Sequence, residues 1–386
     1  MKTASKANVL FIAKNIPTPT RKSNRIIFDI ANNLSNTFNI SFLFPKEIVP
    51  FWLRKNPRFS YLYKLKKWKF EKFEILPVTY IKLPFKYMQY WPLYFLPRSA
   101  KKIIENKRPP DLVHAHYLFP DGQIAYRICK KFDIPYILTF RNQDKQYLEL
   151  ISSNNPDYKK AQKILSAAKN VLVPNGGYKD FVEKKFGIKC IIMPHGIEKE
   201  VFYENPINDN KEELTILSVA DALSTKNVDW VIKAFQSYIE NKAIKLRLIG
   251  DVCNREDIKL LSKNDPRIEL LGRIPREEVL KYMKESDIFA LPSSKETFGL
   301  VYLEAAATHN AIIGFKGEGV WGVFEEDNEM LFCENFEDFQ QRFYLLIEDV
   351  DLRNQLAQNA FEKAKTMSWE NVQKKYMDTY KINLNN

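Results

Sequence analysis

Apolar positions in this chain come as short continuous runs separated by amphipathic stretches, and the period of each stretch identifies an element. Residues 8–13 form an apolar run of strand length. A loop over 14–23 follows, punctuated by Pro17 and Pro19, and Ser23 stands where it can cap a helix continuing through Asn33. Ile26, Ile27, Ile30 and Leu34 give that helix its apolar stripe. Residues 40–44 read as a second strand, so the chain opens strand-helix-strand with a parallel pairing. Residues 45–108, rich in proline and aromatics, show no regular period. The alternation then resumes: a strand over 111–116, a helix over 122–132, a strand over 134–140, a helix over 161–170, and strands over 171–174 and 190–194.

Residues 204–213, rich in Asn, Asp, Glu and Pro, form a linker. Beyond it the same rhythm returns: strands over 214–219, 244–250, 268–272, 288–291 and 311–315, with a helix over 227–240 between the first two. A last helix covers 369–380. Strand and helix alternating in both halves predicts an α/β protein of two doubly wound domains facing across a cleft, divided at 205/206.

Charge sharpens that division. Residues 1–200 carry 36 basic and 15 acidic side chains, a net of +21, whereas the remainder is net −9. Within 51–108 there are 15 basic and 3 acidic residues interleaved with Trp52, Trp68, Tyr87, Tyr90, Trp91 and other aromatics. Lysine and arginine among amphipathic rings suit an anionic membrane surface. Single-stranded nucleic acid favours similar chemistry, but it is not the expected partner. No run approaches the roughly 18 consecutive apolar residues of a membrane-spanning helix, and the N-terminus does not read as a signal peptide. Cys129, Cys190, Cys253 and Cys333 are widely spaced, as in a reduced, cytoplasmic protein. The expected location is therefore the cytoplasm, peripheral to the inner face of the membrane.

The stretch over 295–305 concentrates the candidate chemistry. It follows an apolar strand ending at Pro292, and from Gly299 onward it takes helical spacing. A helix N-terminus thereby brings free backbone N–H groups beside Glu296, an arrangement that holds a phosphate while the carboxylate accepts hydrogen bonds from hydroxyls. Glu304, on the second turn, can reach back to the same place.

Glu296 and Glu304 flanking Phe298-Gly299-Leu300, preceded by Leu-Pro-Ser-Ser and followed by Ala-Ala-Ala, resemble the donor site of family 4 retaining glycosyltransferases. Asp111 to Tyr117, with Pro120-Asp121-Gly122 after it, carries a second likeness to that family. The narrower pattern is similar to that of transferases of teichuronic acid and capsule assembly. The resemblance implies the GT-B fold, with the helix over 369–386 returning to the first domain and 206–368 forming the donor domain. It implies a nucleotide diphosphate sugar as donor, a lipid-linked or polysaccharide acceptor, no cofactor and no metal. By position, Glu296 meets sugar hydroxyls, Glu304 the ribose, and the amides of Phe298, Gly299 and Leu300 the diphosphate. Lys226 takes the leaving phosphate, and His116 holds the sugar from the other domain. Asp144, Arg21 and Gly317 are further donor-side candidates.

Two departures stand out. The loop over 14–23 lacks the Gly-Gly usual in the family, offering Arg21 instead, and Ala220-Asp221-Ala222 replaces the usual Gly-Arg-Leu. A sugar-nucleotide 2-epimerase on the same fold, or an inactive binding subunit, are the alternatives these departures keep open.

Overall fold

The computed structural model describes residues 6–19, 25–48, 55–56, 62, 65–80, 109–204, 213–238 and 243–384. They fold as two compact units: Met1–Val173 with Tyr178–Met193 and Gln373–Asn386, and Pro174–Gly177 with Pro194–Val372. The final helix, Trp369–Leu384, thus ends in the first unit.

In the first unit the described strands are β1 (Asn8–Ile12), β2 (Asn39–Glu47), β3 (Trp68–Phe70), β4 (Phe73–Tyr80), β5 (Leu112–Ala115), β6 (Tyr136–Thr139), β7 (Asn170–Val173) and β8 (Cys190–Ile192). They lie in the order β3-β4-β2-β1-β5-β6-β7-β8, parallel except for β3 against β4. The helix Ile26–Leu34 buries Ile26, Ile27, Ile30 and Leu34 as its stripe predicts, and adds Phe28, whose ring stacks on Phe70 at 4.4 Å. Each such side chain contributes roughly 1.5–3 kcal/mol when fully buried. Ser23, offered as its cap, lies outside the described residues.

The stretch read as irregular holds two strands. Phe73, Ile75, Val78 and Tyr80 are the buried positions of β4, whose alternation is interrupted at Pro77. β4 continues the sheet beside β2, where no neighbouring strand was expected. The helix expected over 161–170 runs instead from Pro156 to Ala167. Asn155 accepts from the N–H of Asp157 and Pro156 occupies the first turn, a start signal that outweighs the apolar period, while Asn170 already belongs to β7. A further helix, Asn142–Glu149, precedes it. The helix expected from Gly122 begins at Gln123, and that expected over 227–240 is Val228–Ser237.

The second unit holds β9 (Leu214–Val219), β10 (Ile244–Ile249), β11 (Ile268–Gly272), β12 (Ile288–Ala290), β13 (Ala311–Phe315) and β14 (Leu331–Cys333), all parallel, in the order β11-β10-β9-β12-β13-β14. Strand β9 therefore has β10 on one side and β12 on the other, as β1 has β2 and β5. At such reversals consecutive connections leave in opposite directions, and a crevice opens at the strands' carboxyl ends. Among the described residues no helix is long and apolar enough to cross a membrane.

Candidate functional site

In the second unit the reversal brings together the loop after β9 and the loop after β12. Ser294 N–H donates to the Thr225 carbonyl at 2.9 Å, and the Asn227 side chain donates to the Pro292 carbonyl at 2.9 Å. These two bonds lace the loops and set Lys226 opposite Glu296. The Lys226 ammonium lies 2.5 Å from Glu296 Oε2, with the two side chains only 12% and 17% exposed. The other oxygen, Oε1, accepts from the Thr297 N–H at 3.1 Å. A third segment closes the site: after β13, Glu318 Oε2 accepts from the Glu296 N–H at 3.0 Å, and the Gly319 N–H donates to the Glu296 carbonyl.

Gly299, at φ +73°, caps the helix Leu300–Ala306. A side chain there would meet the Tyr302 ring and the Glu296 side chain within 3 Å. Phe298 is buried, its ring 4.8 Å from that of His195, so the site sees its backbone alone. Glu304 does lie on the same helix, but its Oε1 is held by Arg276, through Nε at 2.9 Å and Nη2 at 2.7 Å. Gly317 takes φ +82° in the turn after β13. Asp221, at the family's Arg position, is exposed and its Oδ1 accepts from the Leu223 N–H at 3.0 Å, within its own turn. Arg21 lies outside the described residues.

Sequence reading missed Asn175. It is fully buried, and its amide donates to the carbonyls of Thr297 (2.8 Å) and Gly319 (2.6 Å). One side chain thus clips together the loops that carry Glu296 and Gly317. The signal was available as Pro174-Asn175-Gly176-Gly177 at a strand end, but its partners are 122 and 144 residues away. Arg276, whose partner Glu304 is 28 residues away, was missed for the same reason.

In the first unit the corresponding reversal, between β1 and β5, gathers a buried polar cluster. His114 and His116 are both fully buried, with ring centroids 4.0 Å apart. His114 has a structural role: its ring nitrogens meet Tyr380 Oη at 2.5 Å and Thr139 Oγ1 at 2.7 Å. Neither ring nitrogen of His116 has a hydrogen-bond partner. Burial, and then the neighbouring His114 and Arg141, hold its pKa well below the usual histidine value, so the ring is neutral. Arg141 Nε donates to the His116 carbonyl at 3.1 Å, while its Nη2 and Asp121 Oδ1 are buried without a partner. Unpaired buried polar atoms are uncommon in folded proteins, and three residues of one cluster carrying them make it a candidate site for a polar ligand.

Asp144 is buried and its Oδ2 accepts from the Arg141 N–H at 3.0 Å, capping the helix Asn142–Glu149. It supports Arg141, and through it the His116 loop, rather than presenting an open carboxylate. Burial pushes its pKa up to about 7 despite backbone N–H groups that favour the charged form. The native state therefore keeps a proton that the unfolded chain releases near 3.8, and stability from this group falls as pH rises from about 4 to 7, by at most about 1.4 kcal/mol per pH unit. Asp144→Asn is expected to reduce that slope, with the similarly raised Asp121 retaining part of it. Denaturant melts at several pH values between 4.5 and 7.5 measure it, and an unchanged slope would refute the assignment.

Comparison with known proteins identifies the family and the fold. A model described as glycosyl transferases group 1 matches residues 200–363, and one described as glycosyltransferase family 4 matches 48–201. A glycosyltransferase of uncharacterised specificity from Methanocaldococcus jannaschii is 29% identical over 282 residues, covering 71% of this chain and 75% of that protein. The alpha-monoglucosyldiacylglycerol synthase of Acholeplasma laidlawii is 26% identical over 298 residues, covering 69% and 73%. Among solved structures, the Anabaena protein HepE in complex with UDP superposes with a TM-score of 0.67 at 12% identity, covering 97% of this chain and all of that one. That likeness shows the fold.

Proposed function

Since the chain belongs to the glycosyltransferases, with a family 4 region and a group 1 region in a GT-B fold, we propose that it moves a sugar, with retention at C1, from a nucleotide diphosphate to a lipid-linked or glycan acceptor. The observation that carries this reading is the Lys226–Glu296 pair at the reversal of the second sheet. An ammonium there can neutralise the departing diphosphate, and the carboxylate beside it can accept the hydroxyls of the sugar. The amides of Phe298, Gly299 and Leu300 supply further donors to the diphosphate, and Glu304 reaches the ribose. In the step itself the C1–O bond to the diphosphate breaks and the acceptor oxygen bonds C1 from the same face. Its proton passes to the leaving phosphate oxygen, and no protein nucleophile takes part. By the family likeness His116 is the candidate for a hydrogen bond to the sugar; its ring is neutral and neither nitrogen has a partner among the described residues.

Two observations support a membrane-borne acceptor: the Acholeplasma protein is named for a glycolipid product, and the basic, aromatic stretch 51–108 suits an anionic inner-membrane face. That stretch lies mostly outside the described residues. The relatives reported above that name a reaction give no support to an epimerase.

A panel of UDP-, GDP- and ADP-sugars tests the reading, with binding by calorimetry and nucleotide release by chromatography, each with and without a chelator. One donor is expected to bind and release its nucleotide, undiminished by the chelator, since Lys226 supplies the counter-charge. Binding of none would overturn the transferase reading in favour of an inactive subunit. Loss on chelation would overturn the metal-free form of it. Sedimentation with vesicles containing anionic lipid, against neutral ones, tests the membrane assignment.

A further inference from the structure

We propose that Arg276 is a positioning residue for the donor, holding Glu304 so that one carboxylate oxygen is fixed and the other is presented to the vicinal hydroxyls of the nucleotide's ribose. The proposal rests on the reading that Glu304 meets the ribose. Arg276 opens the helix Arg276–Glu285, which follows β11, and reaches across to the second turn of the helix Leu300–Ala306. Its Nε and Nη2 both converge on Oε1, at 2.9 and 2.7 Å, and no described residue donates to Oε2. A guanidinium usually engages a carboxylate with one N–H on each oxygen. Here the fork is used on a single oxygen, which orients the group without occupying it.

Stability gives little reason for the contact. The Arg276 side chain is 58% exposed, and ion pairs with one partner that exposed add little to folding. Glu304, by contrast, is only 13% exposed, and among the described residues Arg276 alone donates to its carboxylate. A flexible carboxylate that must accept two hydroxyls at once loses affinity through the freedom it gives up, and holding one of its oxygens beforehand reduces that loss. Lysine cannot replace the fork, since its ammonium is a single rotating point charge.

The test uses UDP, GDP and ADP, each beside its 2′-deoxy counterpart, on the full chain. Wild type is expected to prefer the ribonucleotide. Arg276→Ala is expected to weaken the selected nucleoside diphosphate about tenfold, to raise the donor KM similarly with kcat within about twofold, and to erase the preference over the deoxynucleotide. Arg276→Lys is expected to recover less than half of the loss. Circular dichroism and Tm unchanged in Arg276→Ala exclude a structural cause. If Glu304→Ala loses the ribose preference and Arg276→Ala keeps it, the positioning role is overturned while the ribose reading stands. If Glu304→Ala also keeps it, both are overturned.

Discussion

Glu296→Ala is expected to lower kcat/KM by about 10²–10³, and Lys226→Ala by a similar factor, with the double variant losing less than the product of the two. At 2.5 Å and less than a fifth exposed, the pair is a charge-assisted contact in a partly dry site. In the bound state each member has a separate task, Lys226 on the diphosphate and Glu296 on the sugar, so each single change removes about 3–4 kcal/mol of transition-state stabilisation. Each also leaves its former partner unpaired, and that shared effect makes the losses less than additive. Glu296→Gln tests the charge: the amide can still accept a hydroxyl but cannot hold Lys226 as an ion pair. Steady-state kinetics on the selected donor, with Tm alongside, gives the answer. A loss of activity much larger than the change in Tm is expected, and a Glu296→Ala enzyme within threefold of wild type would remove Glu296 from the site.

The second large effect is on the scaffold. A Cβ on Gly177 would lie 2.0 Å from the Gly317 carbonyl oxygen, a clash of backbone with backbone that no rotamer relieves. Its neighbour Gly176 donates to the Trp321 carbonyl at 2.8 Å, and Asn175 holds the carbonyls of Thr297 and Gly319. Gly177→Ala therefore pushes the 317–319 turn away from the strand end that fixes it, and with it the Glu318 contact to the Glu296 N–H. We expect destabilisation of about 2–4 kcal/mol and a donor KM raised at least tenfold. Differential scanning calorimetry reads the first and kinetics the second. A Gly177→Ala protein that melts and binds as wild type does would show that the close approach is not required. Ala at Gly187, where nothing lies within 4 Å but φ is +67°, isolates the backbone term and should leave donor binding unchanged.

The extent to which the sequence told these things can be traced to distance along the chain. The helix at Ile26–Leu34, the strands β1, β9 and β13, and the turn at Gly299 are encoded in residues next to one another: apolar period, branched side chains, a glycine where φ must be positive. Glu296, Phe298, Gly299 and Glu304 were legible because they sit within nine residues in one reading frame. Strand β4 was lost because Pro77 breaks its alternation, and the helix Pro156–Ala167 was placed late because its start is a capping arrangement rather than an apolar period.

What the sequence by itself determined, then, is the alternation of strand and helix in both halves and the carboxylates of the donor motif. The tertiary structure decided which of them meet. Only the strand order sets β9 beside β12 and so Lys226 against Glu296, 70 residues apart. Only folding brings Asn175 to Thr297 and Gly319, gives Glu304 its arginine, and turns Asp221 onto its own loop. Two histidines two residues apart likewise took different roles, His114 satisfied by Thr139 and Tyr380 and His116 left open, because one of those partners arrives 266 residues later. Local pattern specifies how a segment curls; the pairing of polar groups depends on which segments the burial of apolar faces brings together.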